Sequence, residues 1–182
     1  MREFLAVDID PRYLNKIAEI QRGLSDTDAP VKLVERENLH LTLKFFGEIS
    51  AIKNKEITSI VQEKLKEYKP FSLHIKKVGV FPNLGYIRVV WLGIEEPNNF
   101  SVIQKDLDRD FINMGFKKER SYTPHLTIGR VKGAQNKEAL VAKIMELEEV
   151  DIGKMTVDRV VLKKSELTPV GPIYTNLQEF WL

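Results

Sequence analysis

Residues 40–48 of this chain have the sequence HLTLKFFGE, and residues 125–131 have the sequence HLTIGRV. Two of the three histidines therefore open the same pattern of histidine, leucine, threonine and an aliphatic residue. Because side chains alternate between the two faces of a β-strand, each pattern places an imidazole and a hydroxyl on one face and two aliphatic side chains on the other. The pattern predicts two half-buried strands that decide both the fold and the candidate site.

The sequence around each histidine resembles the signature of the 2H phosphoesterase superfamily. The first block reads RENLHLTLKFFGE over residues 36–48, and the second reads SYTPHLTIGRV over residues 121–131. Both blocks, and the opening MREFLAVDI of residues 1–9, are similar to the branch of RNA 2′,3′-cyclic phosphodiesterases, historically named 2′-5′ RNA ligases. The resemblance implies a bilobal fold in which each lobe contributes one His-x-Thr pair to a shared cleft.

The candidate catalytic residues are His40, Thr42, His125 and Thr127. A free imidazole titrates near pH 6.5, so at neutral pH one histidine can be neutral while the other is protonated. The neutral imidazole can take a proton from an attacking water, and the protonated one can give a proton to a leaving oxygen. The threonine hydroxyls can donate hydrogen bonds to oxygens on which negative charge develops. Opening a cyclic phosphodiester needs the neutral and the protonated imidazole together.

The resemblance implies hydrolysis of RNA 2′,3′-cyclic phosphate ends to 2′-phosphomonoesters, with 2′-5′ ligation of RNA, such as tRNA halves, as a weaker reverse-type reaction. It assigns His40 as general acid and His125 as general base, although the sequence leaves the opposite order open. Two alternatives remain: a 2H phosphodiesterase for another small cyclic or 2′-5′ nucleotide, and an RNA-binding module without turnover. Two intact His-x-Thr pairs favour an enzyme, because a binder needs neither a proton donor nor a proton acceptor.

Three further residues are candidates for substrate binding. Phe45 and Arg130 each follow their histidine by five residues, and Tyr122 precedes the second motif. Phenylalanine offers a stacking surface and arginine a partner for phosphate or a nucleobase, and the resemblance implies that the two bracket the base. Strict alternation would point both away from the cleft, so we expect a β-bulge or a strand end near Gly129 and near Phe46-Gly47 to redirect them. The alternatives, Phe45 in the core and Arg130 as a surface charge, stay open.

We predict that the protein uses neither a metal nor another cofactor. A His-x-Thr pair supplies too few ligands, no cluster of histidine, aspartate and glutamate lies beside either motif, and the chain has no cysteine. The third histidine, His74, has no threonine two residues further on and is predicted to be structural. Trp91 and Trp181 lie in apolar runs and are predicted to belong to the core.

The composition is that of a globular protein, which we interpret as a single domain over residues 1–182. The net charge of +2 is too small for a dedicated nucleic-acid coat but suits an enzyme that binds one phosphate locally. No apolar run is as long as a membrane span, and no secretory signal opens the chain. We expect a cytoplasmic monomer that binds RNA with a cyclic phosphate end, or a small nucleotide, and no membrane.

Hydrophobic periodicity predicts helices at about 10–24, 51–68, 97–114 and 137–148. It predicts strands at about 2–9, 31–34, 39–46, 71–80, 86–94, 123–131, 150–163 and 173–181. The predicted fold class is therefore α+β: a pseudo-symmetric, bilobal fold whose antiparallel strands line a central cleft, with helices outside. The two motifs are 85 residues apart, nearly half the chain, which indicates an ancient duplication of one lobe.

Overall fold

Nine β-strands and four α-helices make up the fold, and the computed structural model describes all of residues 1–182. The strands are β1 (Arg2–Asp8), β2 (Val31–Leu33), β3 (His40–Glu48), β4 (Phe71–Asn83), β5 (Tyr86–Glu95), β6 (His125–Val131), β7 (Asp151–Val157), β8 (Arg159–Thr168) and β9 (Gly171–Trp181). The helices are α1 (Leu14–Ser25), α2 (Ala51–Leu65), α3 (Asn98–Asn113) and α4 (Lys137–Glu146). The predicted α+β class is confirmed.

The helices are amphipathic, and each buries one stripe of apolar side chains. In α2, the Ser50 hydroxyl accepts the backbone N–H of Lys53 at 3.2 Å, which caps the first turn. Residues three or four positions apart then fall on one side of the helix. In α1 the buried apolar residues are Ile17, Ile20 and Leu24, and in α3 they are Phe100, Ile103, Leu107 and Phe111.

All nine strands belong to one antiparallel sheet. Eight of them lie side by side in the order β7-β4-β5-β6-β3-β1-β8-β9, and β2 pairs with β6. A single residue pair, Leu41 with Leu126, joins β3 to β6. The sheet therefore divides into a first half, β3-β1-β8-β9, and a second half, β6-β5-β4-β7, and each half contains one of the two motif strands.

The sheet is strongly curled. This follows from two residues that are close in sequence but lie on strands far apart in the strand order. Val157 ends β7 at one edge, and Arg159 begins β8 six strands away. Six spacings in a flat sheet would measure about 29 Å, whereas two residues span at most about 7 Å. The prediction of one strand over residues 150–163 is thus wrong, since the chain crosses from the second half to the first at Asp158.

The helices cover the outer face of the sheet and leave the inner face open. Leu41, Leu43, Leu126 and Ile128 of the motif strands are at most 2% exposed and belong to one continuous apolar core that includes residues of both halves. Helix α1 packs against α4 and β6, while α3 packs against α2 and β3. The histidines and threonines, which alternate with the core residues, therefore face the concave side.

Trp181 corrects a prediction about the core. Its side chain is 58% exposed on β9, which is the outermost strand of the first half. The guanidinium of Arg159 lies 5.0 Å from the centre of the indole ring. An apolar run at the edge of a sheet does not have a neighbour on every side, so the prediction that Trp181 is buried is wrong.

Candidate active site

A cavity of about 380 Å³ opens on the concave face where the two motif strands meet. Its lining includes all four candidate catalytic residues, His40, Thr42, His125 and Thr127. The structure thus brings together two imidazoles and two hydroxyls that are far apart in the sequence.

The pairing of the two motif strands explains how these four side chains meet. Leu41 and Leu126, the central residues of the two His-x-Thr pairs, are partners in the antiparallel ladder. One position to either side, each histidine therefore stands opposite the threonine of the other motif. Opposite side chains in such a pair have Cβ atoms about 4.5–5.5 Å apart. The resulting square of polar groups is suited in size to a phosphate.

The orientation of His40 is held by its own loop and strand. Its Nδ1 lies 2.6 Å from the carbonyl oxygen of Asn38, and its Nε2 lies 3.0 Å from the hydroxyl of Thr42. A carbonyl can only accept, so Nδ1 carries the proton and Nε2 is the atom that can exchange one. The rings of Phe4 and Tyr174 lie 4.9 Å and 5.4 Å from the imidazole and screen it from solvent.

Both histidines have pKa values below the ordinary value for histidine. Burial lowers the pKa of His40, the hydrogen bond to Asn38 partly opposes this, and the nearby charge of Lys163 lowers it further. Burial also lowers the pKa of His125, with the backbone of Thr123 opposing and the charge of Arg130 adding to the decrease. Both imidazoles therefore favour the neutral state before an anion binds.

His125 is held in a similar way but in a more open environment. Its backbone partner Thr123 precedes it by two residues, as Asn38 precedes His40. Its side chain is exposed, and the edge of its nearest aromatic neighbour, Phe81, lies perpendicular to it with ring centres 5.0 Å apart. Water can therefore reach His125 more easily than it can reach His40.

Two β-bulges redirect Phe45 and Arg130 into the cavity. The ladder between β1 and β3 skips Leu43, and the ladder between β5 and β6 skips Ile128. After each bulge the next exposed residue, Phe45 or Arg130, lines the cavity. The predicted bulges are confirmed: Ile128 adjoins Gly129, while β3 skips Phe46 as well as Leu43. Phe45 is 47% exposed, which excludes its alternative placement in the core.

Two buried glutamines support these bulges from the outer face. Gln21 of α1 donates to the carbonyl oxygens of Ile128 and Val34, each at 2.9 Å. Gln104 of α3 donates to the carbonyl oxygen of Leu43 at 2.9 Å. Helix α1 follows a strand of the first half and supports the motif of the second, and α3 does the reverse. Each half therefore contributes the helix that supports the motif strand of the other half.

Tyr122 does not line the cavity. Its hydroxyl donates to Asp108 at 2.9 Å, and Asp108 also accepts from Lys44 Nζ at 2.6 Å. Lys44 contacts Glu119 at 3.1 Å as well, and the side chains of Lys44 and Asp108 are 4% and 1% exposed. Burial raises the pKa of Tyr122. Burial also acts to raise the pKa of Asp108, but the hydrogen bond from Lys44 helps to hold it below its ordinary value. This buried network ties β3 to α3 and to the loop before His125.

Sequence reasoning missed the remaining wall of the cavity. Tyr174 comes from β9, Lys32 from β2, and Lys132 directly follows β6. Of these, only Lys132 had a local signal, since it stands two residues after Arg130 on the same side of the strand. Tyr174 and Lys32 reach the site through tertiary contacts alone.

The structure also locates the residues that were not assigned to the site. His74 Nε2 lies 2.7 Å from a carboxylate oxygen of Asp151, away from the cavity, as expected of a structural histidine. No group of three or more histidine, aspartate or glutamate side chains is arranged to hold a metal ion. None of the helices is both long enough and apolar enough to cross a membrane.

The fold and the site define a class of protein: a phosphoesterase with two histidines, each followed by a threonine on a strand of a curled antiparallel sheet. The chain belongs to the 2′-5′ RNA ligase superfamily, whose family model matches residues 9–168.

Individual relatives match over the full length of the chain. A protein of Methanothermobacter thermautotrophicus named RNA 2′,3′-cyclic phosphodiesterase is 52% identical over 182 residues, which are 100% of this chain and 99% of the relative. The crystal structure of TT0787 of Thermus thermophilus is similar with a TM-score of 0.86 and 26% identity, covering 100% of this chain and 98% of the other. The crystal structure of Escherichia coli LigT complexed with ATP has a TM-score of 0.75 and 25% identity, covering 100% and 97%.

Proposed function

We propose that this protein hydrolyses the 2′,3′-cyclic phosphate at the 3′ end of RNA and leaves a 2′-phosphomonoester. The observation that carries the proposal is the convergence of His40, Thr42, His125 and Thr127 on one cavity. The name of the relative that is 52% identical gives the substrate class, and the structure of LigT complexed with ATP supports a nucleotide ligand.

The proposed reaction is an in-line displacement at phosphorus. His125 takes a proton from water as the water oxygen forms a bond to phosphorus. The bond between phosphorus and the 3′ oxygen breaks, and His40 gives the proton on Nε2 to that oxygen. The hydroxyls of Thr42 and Thr127 donate to the non-bridging oxygens, where negative charge increases. The products are a 2′-phosphomonoester and a free 3′ hydroxyl, and ligation to a 5′ hydroxyl would use the same groups in reverse.

The environments of the two histidines support this assignment of roles. The exposed side chain of His125 suits a base that must meet water, whereas His40 lies behind Phe4 and Tyr174. The lowered pKa of His40 opposes the protonated state that an acid needs. A bound phosphate carries a negative charge within contact distance and shifts that pKa back upwards.

Recognition of the terminal nucleotide is assigned to Arg130 and Phe45, which lie on opposite motif strands at the cavity. Arg130 makes no salt bridge within the protein, so its guanidinium is available to a phosphate or a base. Phe45 presents an exposed ring on which a base can stack. We propose a monomer that acts on RNA in the cytoplasm without a resident cofactor.

The decisive assay is incubation of the purified protein, in EDTA, with RNA ending in a 2′,3′-cyclic phosphate. We expect full turnover and a product that carries its phosphate on the 2′ oxygen. A 3′-phosphate product would show that the 2′ oxygen, and not the 3′ oxygen, is the leaving group. Loss of activity in EDTA with recovery on addition of one divalent cation would contradict the two-histidine mechanism. Hydrolysis of a small cyclic or 2′-5′ nucleotide, but not of RNA ends, would favour the alternative substrate class.

A further inference from the structure

A second, larger cavity adjoins the catalytic one on the concave face. It measures about 1510 Å³ and shares Thr42, Phe45 and His125 with the catalytic cavity. Its other walls come from β4, β5 and the loop that leads into His125. A substrate held at the two histidines can therefore extend into this second space without leaving the protein surface.

The second cavity carries an excess of unpaired positive charge. Of its three exposed or half-buried carboxylates, Glu95 pairs with Lys76 at 3.5 Å and Glu119 pairs with Lys44 at 3.1 Å, while Glu148 has no such partner. Four exposed cations of the lining make no salt bridge, namely Lys77, Lys117, Lys118 and Arg120. The cavity is thus built to attract negative charge, although the whole protein is nearly neutral.

Aromatic rings cover part of its floor, beginning beside His125. The indole of Trp91 lies flat on Gly79, where a Cβ atom would fall 2.1 Å from the ring. Phe81 lies 5.2 Å from Trp91 between ring centres and is 42% exposed. The glycine lets the large ring lie against the sheet, and the half-buried Trp91 lines the cavity instead of belonging wholly to the core as predicted.

The backbone at Lys77 is shaped for this surface. The ladder between β4 and β5 skips Lys77, whose φ of 71° is in the left-handed region that non-glycine residues rarely adopt. Its N–H donates to the carbonyl of Val150 at 2.7 Å, outside the β4–β5 ladder. The bulge exposes the lysine side chain at the cavity between half-buried Lys76 and buried Val78. Strained positions of this kind are frequently kept where a side chain serves a ligand.

We propose that this second cavity, here named the upstream groove, binds the nucleotides on the 5′ side of the terminal cyclic phosphate. Unpaired cations beside exposed aromatic rings are the combination that binds single-stranded nucleic acid, through phosphates and stacked bases. The terminal nucleoside and its cyclic phosphate occupy the catalytic cavity, and the chain continues past Phe45 and His125. The preferred substrate is therefore an oligonucleotide end with unpaired upstream residues. This inference rests on the proposed function and adds its substrate length.

The test compares two substrates that share the same reacting end. One is a nucleoside 2′,3′-cyclic monophosphate, and the other is a trinucleotide that ends in the same nucleoside cyclic phosphate. We expect kcat/KM for the trinucleotide to exceed that for the mononucleotide by about 5- to 150-fold, the effect of one stacked base. The advantage should shrink as salt concentration rises, because phosphate contacts release bound counterions.

Substitutions in the upstream groove test whether its residues cause the higher kcat/KM for the trinucleotide. We expect Lys77→Gln with Lys118→Gln, and separately Trp91→Leu, to reduce the trinucleotide-to-mononucleotide ratio of kcat/KM by about 5-fold or more. Lys55→Gln removes one positive charge from the exposed face of α2, outside the groove, and should leave the ratio unchanged. The lysine pair keeps the test valid if Trp91→Leu does not fold.

The outcomes separate this inference from the proposed function. Hydrolysis of both substrates with equal kcat/KM, or an equal loss on both in the groove variants, would overturn the upstream groove alone. Failure to hydrolyse either substrate would overturn the proposed function and this inference with it. A trinucleotide advantage that persists in both groove variants would place the upstream nucleotides elsewhere on the protein.

Discussion

The two halves of the molecule carry the same His-x-Thr motif in different surroundings. A shift of 85 residues along the chain superposes β1 on β5, α1 on α3, β3 on β6, α2 on α4 and β4 on β8, to within about four residues at each end. It also carries Asn38 to Thr123, which are the backbone neighbours of the two histidines, and the bulge at Leu43 to the bulge at Ile128. Leu41 and Leu126, equivalent under the shift, pair with each other. These correspondences support our proposal of a duplicated lobe.

The two halves differ in the residues that surround the His-x-Thr motif. At the position after the bulge, the first half has buried Lys44 and the second has buried Gly129. A Cβ atom at Gly129 would lie 2.8 Å from Val31, because β2 packs closely there. Lys44 has no such neighbour and instead binds Asp108 of α3. The two halves therefore share the backbone geometry of the site but differ in the packing behind each motif strand and in the exposure of each histidine.

The largest effect should come from removing either histidine. Acid–base catalysis contributes about 10²–10⁴-fold per group, so we expect His40→Ala and His125→Ala each to reduce kcat by at least that much while the thermal unfolding temperature is kept. Because both groups act in one transition state, the double variant should lose less than the product of the single losses.

A substrate whose leaving oxygen departs without protonation should distinguish the roles of the two histidines. We expect it to restore activity to His40→Ala, which lacks the acid, and not to His125→Ala, which lacks the base. Rescue of His125→Ala alone would exchange the two roles and keep the mechanism. Full activity of either single variant on a verified RNA cyclic phosphate would rule out a two-histidine mechanism.

The second largest effect should be the loss of stability when Lys44 is replaced. Lys44→Met leaves the carboxylate of Asp108 buried with no cation, and removing one partner of a buried ion pair costs about 3–5 kcal/mol. Chemical denaturation measures the free energy of unfolding directly. Lys55→Met, an exposed substitution on α2, is the matched control and should change stability by less than about 0.5 kcal/mol. Equal stability of the two variants would show that the pair is dispensable.

The pH dependence of kcat/KM should report both histidines of the free enzyme. Activity rises as the base loses its proton and falls as the acid loses its own, and burial lowers both pKa values. We therefore expect a bell-shaped profile with its maximum below about pH 6.5 and an alkaline limb that falls about tenfold per pH unit. The profile of kcat should lie at higher pH, because bound phosphate favours the protonated imidazole. An optimum of kcat/KM above about pH 8 would contradict the lowered values.

Phe45 and Arg130 each follow their histidine by five residues, and we expect replacing either of them to have a smaller effect. We expect Phe45→Ala and Arg130→Ala each to raise KM for RNA ends, for Phe45 by roughly 5- to 150-fold, which corresponds to about 1–3 kcal/mol of base stacking. Phe46→Ala is the neighbouring control: Phe46 is 8% exposed on the opposite face, so its loss should reduce stability by about 3–5 kcal/mol instead. If Phe45→Ala behaves like Phe46→Ala, the ring supports the fold and not the substrate.

Local patterns in the sequence predicted the motif strands, the helices and the inward face of each, because alternation and helical periodicity depend only on neighbouring residues. The bulges were predictable from the need to turn Phe45 and Arg130 towards the histidines. The roles of Tyr122 and Tyr174 were not, since these depend on contacts with Asp108 and His40 from distant segments. The break at Asp158 was hidden because only one residue separates the two consecutive strands and no glycine or proline marks the turn.

The smallest expected effect concerns the two glutamines that support the bulges. Gln21 makes two hydrogen bonds, to the carbonyls of Val34 and Ile128, whereas Gln104 makes one, to that of Leu43, and the buried Oε1 of Gln104 has no partner. Replacing either by methionine keeps the volume similar and leaves buried carbonyls unpaired, at a cost of about 1–3 kcal/mol where nothing compensates.

The halves should respond unequally to these two substitutions. We expect Gln21→Met to cost about 1–3 kcal/mol, because two carbonyls lose their donor, and Gln104→Met to cost about 1 kcal/mol or less, because an unpaired Oε1 is removed together with one bond. Each variant should also raise KM. Gln21→Met should do so because it loosens the bulge that orients Arg130, and Gln104→Met because it loosens the bulge that orients Phe45. Combining Gln104→Met with Phe45→Ala should therefore add little to the KM of Phe45→Ala alone, whereas Gln21→Met with Phe45→Ala should be additive. Additivity in both pairs would show that the bulges keep their geometry without the glutamines.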